Sequence, residues 1–470
     1  MSLAEARLQE PPRPLAAAGI DGVAFALVLL FIVVAPFPYG GILPGGTLMI
    51  ELFAFVSAAL AFLGRPAGRT LGAGILPIVA LSCIALIGLV QLLPLDPATI
   101  ARLSPVSAKT WADASEIMRL FDRGALQPKI SIAPNETKST IVLTLAYAAL
   151  FAAGGILIRT RARRRLLLIA LFATSVGHIL YAAINDSASE RVHGAFVNPN
   201  HFAGYLEIAL AMAFGALWGE VLVNRDRGLG IRDRGDRLEK RLLPMAGRIL
   251  LWGVIAAGIA LTRSRGGILA AAVSTVVLLI MGAIHRPGKE RRDRIAVFSA
   301  LAVLLGFGFV ALSTGEGPLL RFLAADPRDV GTDDRFAIWQ TSLKAWRLFP
   351  LLGSGLGAFR EAFRRVQPRE LHGLVEQAHN DFLQLLVTGG WIGAALGVVV
   401  FLSAAVLLIR AWRAQRHREE SGFILGGFGA LLMLTLHGIV DFNMSVPAIP
   451  ATLAVLVGAS WAATREESGQ

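Results

Sequence analysis

Long apolar runs recur along this chain, and they restrict its fold more than any other feature. Each holds roughly 20 residues, long enough for a helix to cross the hydrocarbon core of a bilayer. In all, 55% of the 470 residues are hydrophobic, more than a soluble domain normally carries. Runs of this length predict an all-α integral membrane protein, because a helix satisfies its own backbone groups in lipid. We predict about twelve transmembrane helices, near residues 20–35, 43–63, 71–93, 140–158, 166–184, 202–223, 248–262, 267–284, 295–313, 381–409, 422–440 and 447–463.

Basic residues predict how these helices are oriented. Short loops rich in lysine and arginine stay on the cytoplasmic side of a membrane. With a cytoplasmic N-terminus, the basic segments 159–165, 225–241 and 289–294 all fall on that side, as does the C-terminus. This asymmetry accounts for most of the net charge of +12. Because the basic residues flank apolar runs rather than forming one patch, they favour the lipid bilayer as a partner and indicate no nucleic acid partner.

Three segments on the other side of the predicted membrane are longer than a turn. They lie near 94–139, 185–201 and 314–379, and the last is the largest. We therefore divide the chain into four regions. These are the N-terminal spans with the first outer loop at 1–139, central spans at 140–313, the large outer loop at 314–380 and the C-terminal spans at 381–470.

His379 lies where the large outer loop enters a long apolar run. Polar groups so close to a membrane are costly and need a reason. The N-terminus of the following helix disfavours a positively charged imidazole, so His379 is suited to accepting a proton. Asp381 is expected to cap that helix. A purely structural histidine is the alternative, and its position alone does not decide between the two.

Arginines occur in three separate outer loops, against the bias that keeps them inside. Arg191 and Asn200 belong to one loop, Arg263 and Arg265 to a very tight turn, and Arg335 to the large loop. An arginine beside a helix N-terminus, as in the tight turn, forms a good anion site.

Each of these residues also has a simpler interpretation. Asn200 could serve only to start the following helix, as asparagine often does beside a proline. The arginines of the tight turn could reach lipid headgroups. Arg335 could form an ion pair with Asp333 or Asp334.

Taken together, the outer arginines suit a diphosphate better than a neutral solute, because guanidinium groups bind phosphate oxygens in pairs. A neutral histidine nearby suits the activation of a hydroxyl. The combination predicts group transfer from a lipid diphosphate to an alcohol. No acid is required for the leaving group, since a diphosphate leaves as an anion that the arginines stabilise.

The order of the motifs between about residues 130 and 460 resembles the O-antigen ligase and polymerase family of bacterial inner-membrane glycosyltransferases. The motifs are Gly194-Ala195-Phe196-Val197-Asn198-Pro199-Asn200-His201-Phe202, Ser264-Arg265-Gly266-Gly267, Arg335-Phe336-Ala337-Ile338-Trp339, Gly353-Ser354-Gly355-Leu356-Gly357, His379-Asn380-Asp381-Phe382-Leu383-Gln384 and His437-Gly438-Ile439-Val440-Asp441-Phe442-Asn443.

This resemblance implies a mostly helical fold and a glycosyltransferase that needs neither a metal nor a cofactor. It implies a donor glycan on undecaprenyl diphosphate, used on the periplasmic face of the bacterial inner membrane. It also implies that arginines hold the diphosphate and that a histidine at the loop edge activates the acceptor hydroxyl. The expected site residues are catalytic His379 and, for substrate binding, Arg191, Arg265, Arg335, Asn200, Arg263 and Asn380.

Two questions stay open at the level of the sequence. Arg263 competes with Arg265 for the diphosphate. The acceptor, a lipid or a saccharide, is not specified, so ligation to lipid A core, polymerisation of repeat units and transfer to protein remain alternatives.

A transporter of an anion or of a lipid-linked sugar is the rival from another class. Titratable groups within predicted spans, including Glu207, His437 and Asp441, favour it. Such a transporter is typically built from inverted repeats with broken helices, and no such repeat is visible in the sequence.

Overall fold

Helices form the regular structure of this protein, and no strand occurs in the described ranges. The computed structural model describes residues 15–65, 72–186, 191–226, 243–284, 335–415 and 417–464. The helices in chain order are α1 Leu15–Val34, α2 Pro44–Gly64, α3 Ile75–Leu92, α4 Pro97–Leu103, α5 Pro105–Arg119, α6 Pro134–Leu157, α7 Arg161–Asn185, α8 Pro199–Asp226, α9 Leu243–Leu261, α10 Arg265–Ile284, α11 Arg335–Leu348, α12 Phe359–Arg364, α13 Asp381–Ala414, α14 Arg418–His437 and α15 Ala448–Ala462.

Most of the long helices are able to cross a membrane. Within the described ranges, nine helices are long and apolar enough to do so, and α1 and α15 supply two shorter apolar helices. Each predicted span in these ranges coincides with a helix, whereas the predicted span at 295–313 lies outside the described residues. The fold is therefore that of a helical, multi-pass membrane protein.

The helix ends fall into two groups. One group, called the site end below, includes Asp186, residues 191–198, the segments 262–264 and 438–447, and the start of α13. The other group, called the opposite end, includes the short connections at 158–160 and 415–417. The candidate catalytic and binding residues all belong to the site end.

The helix α8 lies at the centre of the bundle, where α7, α9, α10, α14 and α15 surround it. Its most extensive contact is with α14. There Gly215 lies directly against Gly422 and Gly426, and a side chain at Gly215 would collide with the α14 backbone. Small residues allow membrane helices to approach this closely. The contact aligns α8 with α14, and so brings Asn200 near Asp441.

The helix α13 is broken near its start. Gly390 has φ 64° and ψ −164°, a conformation that glycine alone adopts readily. The segment before α12 fills the break, because the Trp391 amide donates to the Pro350 carbonyl and the Gly355 amide donates to the Thr388 carbonyl. Backbone groups freed by the break thus find partners in the protein, as membrane depth requires.

Gln91 on α3 secures this break from the other side. Its buried side chain donates to the Thr388 carbonyl at 2.9 Å and accepts from the Leu356 amide at 2.8 Å. A buried amide that uses both ends in this way holds two backbone segments in one register. The short first part of α13, which follows His379, is therefore fixed in place.

A second, smaller apolar core lies beside the bundle and supports the loop before α13. It unites α11, α12 and the start of α13 around Phe349, Phe359 and Phe363, with Ala378 at its edge. Since Ala378 is fully buried and His379 is its neighbour, this core sets the position of the histidine. The described part of the predicted large loop thus contains two helices and a core of its own.

Candidate functional site

A buried carboxylate, Asp441, is the centre of the site. It follows α14 and is 1% exposed. Its Oδ2 accepts a hydrogen bond from Asn200 Nδ2 at 2.6 Å and lies 3.6 Å from Arg335 Nη2. Its Oδ1 lies 3.9 Å from His379 Nδ1. Three of the predicted site residues, from three distant segments, therefore converge on one side chain.

Arg191 joins this centre through Asn200. Its Nη2 donates to Asn200 Oδ1 at 2.6 Å, and its Nε donates to the Thr262 carbonyl at 3.0 Å. Burial lowers the pKa of Arg191, and repulsion from nearby arginines, Arg335 foremost, adds to this effect. Asp441 acts in the opposite direction. The guanidinium remains charged, because its ordinary pKa is so high.

Arg263 and Arg265 complete the group of cations. Ser264 caps α10, because its Oγ accepts from the Gly267 amide, and the two arginines flank it. Arg263 adopts φ 52°, an uncommon conformation for a residue with a side chain. Both side chains are exposed, and among the described residues neither makes a hydrogen bond or an ion pair. Both repel Arg191, and Arg265 does so more strongly.

Arg335 is the first residue of α11 and faces the segment after α14. Its Nη1 donates to the Val440 carbonyl at 2.8 Å, in addition to its approach to Asp441. Asp333 and Asp334, the partners that the sequence offers, lie outside the described residues. The contact with Asp441 therefore provides a long-range partner that the sequence interpretation did not include.

His379 stands at the mouth of the site with 30% of its side chain exposed. Its φ of 49° is left-handed, which is rare for a histidine and is often found at functional positions. Its carbonyl accepts from Trp339 Nε1 at 3.2 Å, and its ring meets the Phe442 ring edge-on at 4.8 Å. Its Nδ1 is the ring nitrogen that faces Asp441.

The residues after His379 correct one prediction. Asn380, not Asp381, caps α13, because its Oδ1 accepts from the amides of Phe382 and Leu383. Its Nδ2 also donates to the Ile439 carbonyl at 2.7 Å. Asp381 instead accepts from the Met444 amide, on the segment after α14. The backbone geometry at Asn380 is extended, as a cap requires, and the sequence alone does not reveal it.

A second polar layer lies within the bundle near the site. Glu207 Oε1 and His437 Nδ1 are 2.8 Å apart, and both side chains are fully buried. His201 Nδ1 lies 3.3 Å from Asn443 Oδ1. The sequence interpretation took Glu207, His437 and Asp441 as support for transport, and the structure instead pairs each with another polar group. The sequence interpretation did not include Asp441 among the site residues, although Asp441 belongs to the 437–443 motif.

The fold and the site define a multi-pass helical membrane protein with arginines and a histidine around one carboxylate at one end of its bundle. Residues 249–398 match the model of the O-antigen ligase family, the family that the motifs resemble. The matched range contains Arg263, Arg265, Arg335 and His379. A membrane protein that ligates or polymerises glycans is the function that the match supports. No curated protein matched the chain.

Proposed function

We propose that this protein is a membrane glycosyltransferase that moves a glycan from undecaprenyl diphosphate to an acceptor hydroxyl. The observation that carries the proposal is the convergence of Arg335, Asn200 and His379 on Asp441, with Arg191 joined to the same centre. Such a transfer needs two sets of groups, arginines that stabilise the leaving diphosphate and a histidine that accepts a proton.

The arginines bind the diphosphate of the donor. Arg263 and Arg265 are exposed and face no described carboxylate, so their donors are free for phosphate oxygens. Arg335, at the start of α11, supplies a third guanidinium. The diphosphate gains one negative charge when its bond to the sugar breaks, so cations placed there stabilise the transition state more than the bound donor.

His379 acts as the general base on the acceptor. Its Nε2 takes the hydroxyl proton while the acceptor oxygen forms a bond to the anomeric carbon. The bond between that carbon and the diphosphate oxygen breaks, and its electron pair leaves with undecaprenyl diphosphate. Attack opposite the leaving group inverts the anomeric centre. The chain's own residues supply every group in this step, so we propose a reaction without a metal or cofactor.

The proposed location is the bacterial inner membrane, with both termini in the cytoplasm and the site on the periplasmic face. The basic connection before α7 supports this orientation, because it lies at the opposite end from the site. Lipid-linked glycans and acceptors would then meet at the outer surface of the membrane.

The test is glycan transfer by the purified protein in a bilayer with a lipid-linked donor and an acceptor. We expect His379→Ala to lower transfer by about a thousandfold, within the range of general base catalysis, while donor binding is kept. His372→Ala removes an exposed histidine of the same loop and serves as the matched control. Full transfer by His379→Ala would remove this residue from catalysis.

The acceptor decides between ligase, polymerase and protein-modifying activities. A deletion strain distinguishes the first two by its glycans. Loss of chain length with intact single repeats indicates a polymerase, whereas accumulation of long lipid-linked chains indicates a ligase.

A transporter for an anion or a lipid-linked sugar is the second candidate, and the break in α13 at Gly390 is the observation that favours it. Uptake or flipping in proteoliposomes that survives His379→Ala would support transport over transfer.

A further inference from the structure

Asp441 occupies an unusual position between the cations and the base. Its two oxygens face different partners, Oδ2 towards Arg335 at 3.6 Å and Oδ1 towards His379 at 3.9 Å. Both distances exceed the length of a charge-assisted hydrogen bond, which is about 2.8 Å. A shift of roughly 1 Å would complete either contact. The carboxylate thus lies between Arg335 and His379 and forms a short hydrogen bond with neither of them.

Two other hydrogen bonds hold Asp441, and both are compatible with a shift of its carboxylate towards Arg335 or towards His379. Asn200 donates to Oδ2 at 2.6 Å, and the Phe442 amide donates to Oδ1 at 2.9 Å. The same Asn200 accepts from Arg191. A change in charge around the arginines therefore reaches the carboxylate both directly, through Arg335, and indirectly, through Asn200.

We propose that Asp441 is an exchangeable counter-ion that couples donor binding to activation of His379. Without donor, it balances the positive charge of Arg335. With donor, the diphosphate takes its place on Arg335, and repulsion between the two anions moves the carboxylate towards His379. The hydrogen bond from His379 Nδ1–H to Oδ1 then closes, which orients the ring and strengthens Nε2 as a base. This inference rests on the proposed function.

Among the described carboxylates near His379, Asp441 has the contacts that this role requires. The Phe442 ring separates His379 from His201, since it meets each of them edge-on. Asp381 is held by the Met444 amide, and Glu207 is held by His437. Asp441 alone among these carboxylates lies within 4 Å of both His379 and an arginine of the site.

The coupling has a chemical purpose. A base that is strengthened only when the donor is bound does not deprotonate acceptors or water in the empty site. Asp441 is then a positioning residue, because it acts through His379 and Arg335 rather than on the substrate.

Asp441→Asn tests this inference, because the amide keeps the shape of the side chain and an oxygen for Asn200 but loses the charge. We expect kcat to fall by about a hundredfold, while the Kd for undecaprenyl diphosphate stays equal or becomes several-fold tighter, since the competitor for Arg335 is gone. Weaker binding, or an unchanged kcat, would overturn the inference. Glu361→Gln removes a half-exposed carboxylate that pairs with Arg360 and is the control.

A measurement on the wild type covers the case in which Asp441→Asn fails to fold. We would label the histidines with ¹⁵N, assign the His379 signal by its loss in His379→Ala, and add undecaprenyl diphosphate in nanodiscs. The Nδ1 signal should move towards a strongly hydrogen-bonded form, and an unmoved signal at saturating lipid would overturn the inference. Absence of transfer by the wild type itself would instead contradict the proposed function.

Discussion

Both ends of the helix bundle carry arginines, but the two ends differ in how these arginines pair with carboxylates. At the opposite end, four arginines pair with three carboxylates. At the site end, Asp441 is shared between Arg335 and His379, and the exposed Arg263 and Arg265 pair with no described carboxylate. The pairs of the opposite end are Arg161 and Arg165 with Glu419, Arg163 with Asp21, and Arg164 with Glu420.

This difference distinguishes arginines that pair with carboxylates from exposed arginines that do not. A cation near lipid is costly unless it is paired, so the opposite end follows the rule for structural charge. At the site end, Arg263 and Arg265 depart from that rule among the described residues, and the arginines there repel Arg191. Groups held in such an arrangement are typical of functional sites, where a bound anion restores the balance.

The largest expected effect at the site end comes from Arg335→Gln. Glutamine keeps a donor for the Val440 carbonyl but removes the charge. We expect the Kd for undecaprenyl diphosphate to rise about 100-fold, equivalent to roughly 3 kcal/mol, since hydrogen bonds to charged groups carry energies of this size. Arg347→Gln, an exposed position in the same helix, should leave the Kd unchanged. Equal losses in both variants would refute a specific role for Arg335.

The opposite end should respond in stability and not in binding. Arg164 is almost fully buried, and its Nη2 lies 3.1 Å from Glu420. Arg164→Gln leaves that carboxylate without its cation, so we expect a loss of about 2 kcal/mol in the free energy of unfolding. The measurement is unfolding in detergent together with donor binding by the folded fraction. A changed Kd for the donor with an unchanged free energy of unfolding would contradict the structural role of the arginines at the opposite end.

A smaller effect distinguishes the two arginines of the tight turn. Arg265 repels Arg191, which belongs to the site, more strongly than Arg263 does, so we expect Arg265 to act more strongly on an anion bound there. We expect Arg265→Gln to raise the donor Kd about tenfold and Arg263→Gln about threefold, for the loss of one charge-assisted bond and of a more distant charge. The reverse order would assign the direct contact to Arg263.

Much of the fold was predictable because membrane helices obey a local rule. An apolar run of sufficient length must form a helix in lipid, and α8 and α10 follow from their own residues. The loop arginines that the structure gathers at the site end could also be singled out from the sequence, since they break the bias expected of loop charges. His379 could be singled out because it is a polar residue at the edge of an apolar run.

The parts that were not predictable depend on contacts between distant segments. Asn200 and Asp441 are 241 residues apart, and only the packing of α8 on α14 brings them together. The break at Gly390 depends on a loop that fills it, and a pair of glycines in an apolar run does not reveal that loop. The cap of α13 at Asn380 rather than Asp381 depends on the dihedral angles of one residue.

The central claim is that arginines of the site end, and not basic charge in general, hold the donor diphosphate. The most direct test is the Kd for undecaprenyl diphosphate of Arg265→Gln beside that of Arg161→Gln, since both remove one charge from an exposed arginine. We expect about tenfold weaker binding for Arg265→Gln and an unchanged Kd for Arg161→Gln. Equal weakening, or no weakening in either variant, would contradict the claim.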